Sequence, residues 1–178
     1  MRPYFIEVYM GPQVQFDVSK ATARDLQPIL AVMGKGSLSG LPKLLAALAT
    51  ACPAEWGDPS NEATWAKLPL NGDLKFAYGL LKQQIAAIDT KSITATFDLS
   101  ALTASEFDDM VRQLQAGDPA RQAALIARYA VESSVPGIKD EKLLMELSYY
   151  AQFRPLVTLL GEAGKNELEN FKKAFDGF

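Results

Sequence analysis

The sequence predicts a predominantly helical α+β protein, formed by tandem duplication of a small unit with one β-strand and four helices. The main observation is that residues 16–29, FDVSKATARDLQPI, recur as residues 97–110, FDLSALTASEFDDM, 81 positions later. In both stretches, alternating apolar residues are followed by a threonine and then by an apolar stripe with helical spacing. We therefore divide the chain into a first unit, residues 1–90, and a second unit, residues 91–178.

Each unit is predicted to begin with a strand. Residues 92–100 read SITATFDLS, in which apolar and polar side chains alternate as in a strand with one buried face. Residues 4–19 contain two alternating runs with Gly11-Pro12 between them. Because Gly-Pro marks a turn, these runs predict a β-hairpin, so the first unit carries an extra N-terminal strand.

The predicted strand leads into a helix that begins at a threonine. Thr103 and Glu106 have the spacing of a capping box, in which each side chain accepts the backbone N–H of the other residue. Thr22 and Asp25 form a weaker version with a shorter acid. The apolar stripe of the helix then occurs twice at the same offset, as Leu26, Ile29, Leu30 and Met33 and as Phe107, Met110, Val111 and Leu114.

The remaining helices follow in the same order in both units. The first helix is predicted to end at Gly34 and at Gly117, and a second apolar helix extends to about Ala49 and Ala130. A third begins near Asn61 and near Asp140. A fourth covers about residues 73–88 in one unit and 154–160 in the other. The C-terminal segment 166–178, NELENFKKAFDGF, adds another helical stripe.

The composition argues against catalysis. The chain has no histidine, so the most common general base and metal ligand are both absent. We find no metal-ligand spacing, no glycine-rich phosphate loop and no nucleophile elbow. We therefore expect a protein that is not an enzyme and that binds no metal and no cofactor.

Charge and hydropathy restrict the kinds of partner. The net charge is −3 and there is no basic block, so we expect no nucleic-acid partner. No apolar run approaches the ~18 residues of a membrane span, and Glu7 interrupts the apolar N-terminal stretch, so we expect neither a membrane anchor nor a signal peptide. Cys52 is the single cysteine, which excludes an intrachain disulfide and fits a reducing cytoplasm.

The order of these features resembles the tail assembly chaperones of long-tailed bacteriophages. Residues 97–162 carry the resemblance: a short β segment, a Thr-x-x-Glu helix start, a break at Gly117-Asp118, a second apolar helix and a Pro-Gly turn at 136–137. Residues 4–90 repeat this order loosely. The family usually has one such unit in a chain, whereas this sequence contains two.

The resemblance implies a non-catalytic protein of the host cytoplasm. Members of the family bind the tape measure protein, keep it soluble and help to recruit tail tube subunits. A homo-oligomer is also expected, because small units with limited cores gain from packing on copies of themselves. The alternative is a structural component of the phage particle, such as a tail-completion or head–tail connector subunit.

Five aromatic residues are candidates for partner binding, since aromatic anchors dominate protein interfaces. Tyr149 and Tyr150 are adjacent, so they cannot both face one core, and one is expected to face solvent or a partner. Trp56 lies in a Gly/Pro-rich loop, while Phe171 and Phe175 belong to the C-terminal stripe. Each either packs on its own unit or contacts a neighbour. Three other aromatic residues are expected in the core: Trp65, Phe76 and Phe153.

Overall fold

A computed structural model of the protein describes residues 13–175. The first half consists of β1 (Gln15–Phe16), α1 (Ala23–Met33), α2 (Gly40–Leu48), β2 (Ala49–Ala51), α3 (Glu62–Ala66) and α4 (Lys75–Ala86). The second half consists of β3 (Ala95–Phe97), α5 (Ala104–Gln115), α6 (Pro119–Tyr129), β4 (Ala130–Ser133), α7 (Glu141–Met145) and α8 (Arg154–Phe175). A π-helical turn precedes the last helix of each half, at Leu70–Leu74 and Tyr149–Phe153. The fold is thus predominantly helical α+β, and this part of the prediction is confirmed.

The same order of elements occurs in both halves. Phe16 pairs with Ala49 in one sheet and Phe97 pairs with Ala130 in the other, which keeps the spacing of 81 residues. From the third helix of each half onward the spacing is 79 residues, because the segment from the start of β4 to α7 is two residues shorter than the segment from the start of β2 to α3. A tandem duplication predicts such a repetition, and the duplication itself stays a prediction.

Each half contains one small antiparallel sheet. The pairs are β1 with β2 and β3 with β4, and each pair has a bulge at the same place. The sequence predicts that the second helix extends to Ala49 and Ala130, whereas strands β2 and β4 begin at these residues. Residues 4–12 of the predicted N-terminal hairpin lie outside the described residues. The described part of that segment, Gln15–Phe16, pairs with β2.

Both predicted capping boxes are confirmed. Glu106 accepts the Thr103 N–H at 2.9 Å, and the Thr103 hydroxyl accepts the Glu106 N–H at 3.3 Å. The corresponding distances for Thr22 and Asp25 are 2.9 Å and 3.2 Å, so the shorter acid serves equally well. The threonine N–H and hydroxyl groups that donate to these carboxylates lower the pKa of both acids.

The predicted end of α1 at Gly34 is confirmed, because α1 ends at Met33 and Gly34 is its C-cap. Gly34 has right-handed helical angles, with φ −60°. The left-handed conformation that favours glycine occurs at Gly36, φ 78°, and at Gly117, φ 70°, which are equivalent positions in the two halves. The chain therefore makes one more turn after α1 before it reverses.

The fourth helix of the second half is much longer than predicted. It runs without a break for 22 residues, from Arg154 to Phe175, and has Pro155 in its first turn, where proline is tolerated. The predicted end near residue 160 is wrong, because Gly161 and Gly164 are helical. The C-terminal stripe is thus the continuation of α8 and not a separate helix.

Each half has its own apolar core, and one residue from each half crosses into the other core. Tyr150 of the second half belongs to the core around Leu45 and Trp65. Ala23 of the first half belongs to the core around Ile126 and Phe153. The halves therefore share buried surface, in addition to being connected by the chain.

Backbone hydrogen bonds join the halves where these residues cross. Residues 21–23 and 147–149 form an antiparallel bridge, which we call the inter-half bridge. In it the Ala23 N–H donates to Leu147 O at 3.0 Å, and the Tyr149 N–H donates to Ala21 O at 2.9 Å. The guanidinium of Arg24 lies 2.8 Å from the Glu146 carboxylate beside it. These contacts fix the position of α1 on the second half.

Candidate functional site

A cleft of about 810 Å³ opens at the junction of the two halves. One wall is formed by α1, α2 and α4, and the other by the second π-helical turn and the first turns of α8. Residues of the connection between the halves, such as Ile88 and Ile93, also line it. Most of the lining side chains are apolar or aromatic: Leu30, Met33, Leu44, Tyr78, Ile85, Tyr149, Tyr150 and Leu159.

Tyr149 and Tyr150 belong to both the cleft and the cores beneath it. Their rings meet edge to face with centroids 4.9 Å apart. Tyr150 is only 7% exposed, whereas Tyr149 is half-buried, stacks on Phe153 and packs against both cores. Burial raises the pKa of both hydroxyls. Both tyrosines thus contact the core of the first half, and Tyr149, the less buried of the two, keeps the larger exposed area for a partner.

Charged groups surround the apolar lining. Lys82, Arg154 and Glu162 line the cleft and are exposed. The Lys82 ammonium lies 5.9 Å from the ring centre of Tyr78, and the Arg154 guanidinium lies 5.9 Å from that of Tyr150. An apolar centre with a charged rim is the usual anatomy of a protein interface. The cleft therefore fits a partner segment with an apolar face and polar edges.

Trp56 lies in the core of the first half, one of the two placements that the sequence left open. It is 7% exposed and meets Trp65 edge to face at 6.0 Å. Trp65 is fully buried and donates its indole N–H to Pro59 O at 2.8 Å. Phe153 is also fully buried, so the predicted core positions of Trp65 and Phe153 are confirmed.

Phe76 and Phe171 do not line the cleft. Phe76, which we expected in the core, is 42% exposed, because the buried face of α4 passes through Ala77 and Leu81 and leaves Phe76 on its outer side. Phe171 is 59% exposed on the late turns of α8 and does not line the cleft. Phe175 is the last residue of α8.

Of the residues that line the cleft, only Tyr149 and Tyr150 are predicted from the sequence as partner-binding residues. Ile85 and Leu159 are half-buried, and each lies beside the buried stripe of its helix. Leu159 directly precedes the fully buried Leu160 and follows Leu156 by three positions, so the apolar face of α8 is wider than the core needs. An over-wide apolar stripe is the signal in the sequence that identifies such residues.

The described part of the chain contains neither a candidate metal-ion cluster nor a candidate membrane-spanning helix. Among residues 13–175, no three cysteine, aspartate or glutamate side chains lie together in a way that could hold a metal ion. In the same range, none of the helices combines the length and the apolar character needed to cross a bilayer.

Comparison with known proteins adds no relative. No protein-family model, no characterised protein and no solved structure matches this chain. The cleft and the sequence resemblance to tail assembly chaperones are therefore the two observations from which a function is inferred.

Proposed function

We propose that the protein is a non-catalytic phage tail assembly chaperone that holds a helical segment of the tape measure protein in the cleft between its halves. The observation that carries the proposal is the apolar cleft with a charged rim. An amphipathic helix binds in such a groove through apolar residues at positions i, i+3, i+4 and i+7. Recruitment of tail tube subunits is supported by the resemblance alone.

The cleft walls suit a holdase because they are only partly buried in the free protein. Tyr78, Ile85, Tyr149 and Leu159 are all half-buried, and they come from both halves. A helix bound there would cover apolar surface at roughly 25 cal/mol per Å² of area removed from water. Aggregation-prone apolar surface of the partner would be covered by the same contact.

The proposal predicts that charge in the cleft abolishes capture of the tape measure protein. Ile85→Glu and Leu159→Glu each place a carboxylate on one wall, where a bound apolar helix would have to desolvate it. Co-expression with the tape measure protein of the same genome, followed by pull-down, measures the effect. We expect capture to fall at least tenfold with either variant.

Leu143→Glu is the matched control, because Leu143 is 51% exposed on α7 and does not line the cleft. It should capture the tape measure protein as the wild type does, and all three variants should keep the wild-type melting temperature within a few degrees. Failure of the wild type to capture or solubilise the partner would overturn the proposal. Recovery of the protein in purified phage particles would instead support the structural component.

A further inference from the structure

The contact between the halves uses a surface of α1 whose counterpart on α5 is left open. Ala23, the first residue of α1, is fully buried against the second half. Ala104 holds the same position at the start of α5, and it is exposed. Within residues 13–175, Thr22–Ser148 is the one isolated bridge, so residues 102–104 form none.

The second half contacts α1 through a surface near Pro119 and Tyr149, and the counterpart of this surface on the first half is exposed. Pro119 is almost fully buried next to Asp118, whose carboxylate accepts from Gln27 of α1 at 3.2 Å. The counterpart of Pro119, 81 residues earlier, is Leu38, which is 62% exposed. The counterpart of Tyr149 is Leu70, at the start of the first π-helical turn, and it is 50% exposed.

We propose that these two open surfaces bind each other between copies of this chain, so that α5 of one copy lies on the Leu38/Leu70 face of the next copy. The contact would reproduce between chains the arrangement that α1 and the second half make within one chain. The partner is thus a second copy of the same protein. The inference concerns a different surface from the cleft and does not depend on binding of the tape measure protein.

The backbone of the Leu38/Leu70 face can form the required bridge. In the inter-half bridge, the central residue Ser148 uses neither its N–H nor its C=O toward residues 21–23, since the two hydrogen bonds involve its neighbours Leu147 and Tyr149. The residue equivalent to Ser148 is Pro69. Because proline lacks only the N–H, residues 68–70 retain the donor and the acceptor that the bridge needs.

The side chains around the two open surfaces are compatible in charge. The pair Arg24–Glu146 of the inter-half contact becomes Ser105 and Lys67 between chains, by the same spacing. Gln27 and Asp118 become Asp108 and Ser37 in the same way. Each new pair combines a charged group with a hydroxyl, so no like charges are brought together.

The two open surfaces differ from each other and lie on opposite halves, so the association is head to tail. A heterologous contact of this kind leaves one free surface of each type at the ends of every oligomer. It therefore continues into a ring or a filament, in contrast to a two-fold dimer, which stops at two copies.

Sedimentation of the full chain over a range of concentrations tests the proposal. We expect the wild type to form a series of oligomers that grows with concentration. Ala104→Glu and Leu38→Glu should each be monomeric, since each blocks one of the two surfaces. Both positions are exposed, so neither change should unfold the protein. At Ala104, in the first turn of α5, an acid also interacts favourably with the helix dipole.

Mixing the two variants separates head-to-tail association from any symmetric contact. Ala104→Glu retains an intact Leu38/Leu70 face and Leu38→Glu retains an intact α5 surface, so an equimolar mixture should give a species of twice the monomer mass and nothing larger. Val131→Glu, at a 54% exposed position outside both surfaces, should associate like the wild type. A wild type that remains monomeric at its solubility limit, or a mixture that forms no dimer, would overturn the proposal.

Discussion

Trp56 shows how far a residue's neighbours decide its role. Its loop contains glycine and proline, which locally suggests an exposed position, yet the ring packs edge to face on Trp65. We expect Trp56→Ala to lower the free energy of unfolding by about 3–5 kcal/mol, because it removes a buried ring and leaves a cavity. Chemical denaturation followed by circular dichroism measures the change.

Phe76→Ala is the matched control for this prediction. Phe76 is 42% exposed, so its truncation should change the free energy of unfolding by no more than about 0.5 kcal/mol, as is usual for surface positions. If Trp56→Ala and Phe76→Ala instead lowered the free energy of unfolding by the same amount, the placement of Trp56 in the core would be contradicted.

Gly161 and Gly164 of α8 differ in the space that surrounds them. A Cβ added at Gly161 would meet no atom within 4 Å, whereas one at Gly164 would lie 3.2 Å from Met110 Cε. Alanine is the better helix former by about 1 kcal/mol. We therefore expect Gly161→Ala to raise the free energy of unfolding by up to about 1 kcal/mol and Gly164→Ala to raise it less or to lower it, as measured by thermal denaturation.

The comparison between the two glycines is its own control, since both substitutions add the same methyl group to the same helix. A larger gain at Gly164 than at Gly161 would mean that α8 does not pack on Met110 of α5 as described. A loss of stability at Gly161 would mean that α8 does not continue through this position.

The elements that the sequence predicts correctly are those whose signals are local. Thr22 and Thr103 are N-caps because the acid that completes each capping box is only three residues away. By contrast, β2 and β4 exist through pairing with residues more than 30 positions distant, and nothing in Ala49–Ala51 itself distinguishes a strand from a helix end. The predicted end of the fourth helix near residue 160 is wrong, because α8 continues through Gly161 and Gly164 to Phe175.

The candidate site was harder to predict than the elements, because it depends on how the halves meet. The prediction that Tyr149 and Tyr150 cannot both face one core is wrong, because both pack against the core of the first half, although Tyr150 is buried there and Tyr149 is only half-buried. The sequence does not show that Tyr150 reaches the core of the other half, or that Ile85 and Leu159 line the same cleft. Those facts follow from the way the halves meet at the inter-half bridge, which joins positions more than 100 residues apart.

At the scale of the whole molecule, the shared surface should make the two halves unfold together. The inter-half bridge supplies two backbone hydrogen bonds, and Ala23 and Tyr150 are buried in the opposite cores. Separation of the halves would expose both side chains and leave the bridge groups to water. A half that unfolds alone therefore removes part of the core of the other half.

The two tryptophans make this coupling measurable, since Trp56 and Trp65 both lie in the core of the first half. Leu156→Ala, at a fully buried position of α8, should lower the free energy of unfolding by about 2–5 kcal/mol through the cavity that it leaves. If the halves are coupled, Leu156→Ala should shift two unfolding transitions to lower denaturant concentration by the same amount. One is followed by tryptophan fluorescence, which senses only the first half, and the other by circular dichroism of the whole chain. Leu81→Ala, fully buried in the first half, should shift both signals equally. If Leu156→Ala moved the circular dichroism and left the fluorescence transition in place, the halves would be independent folding units.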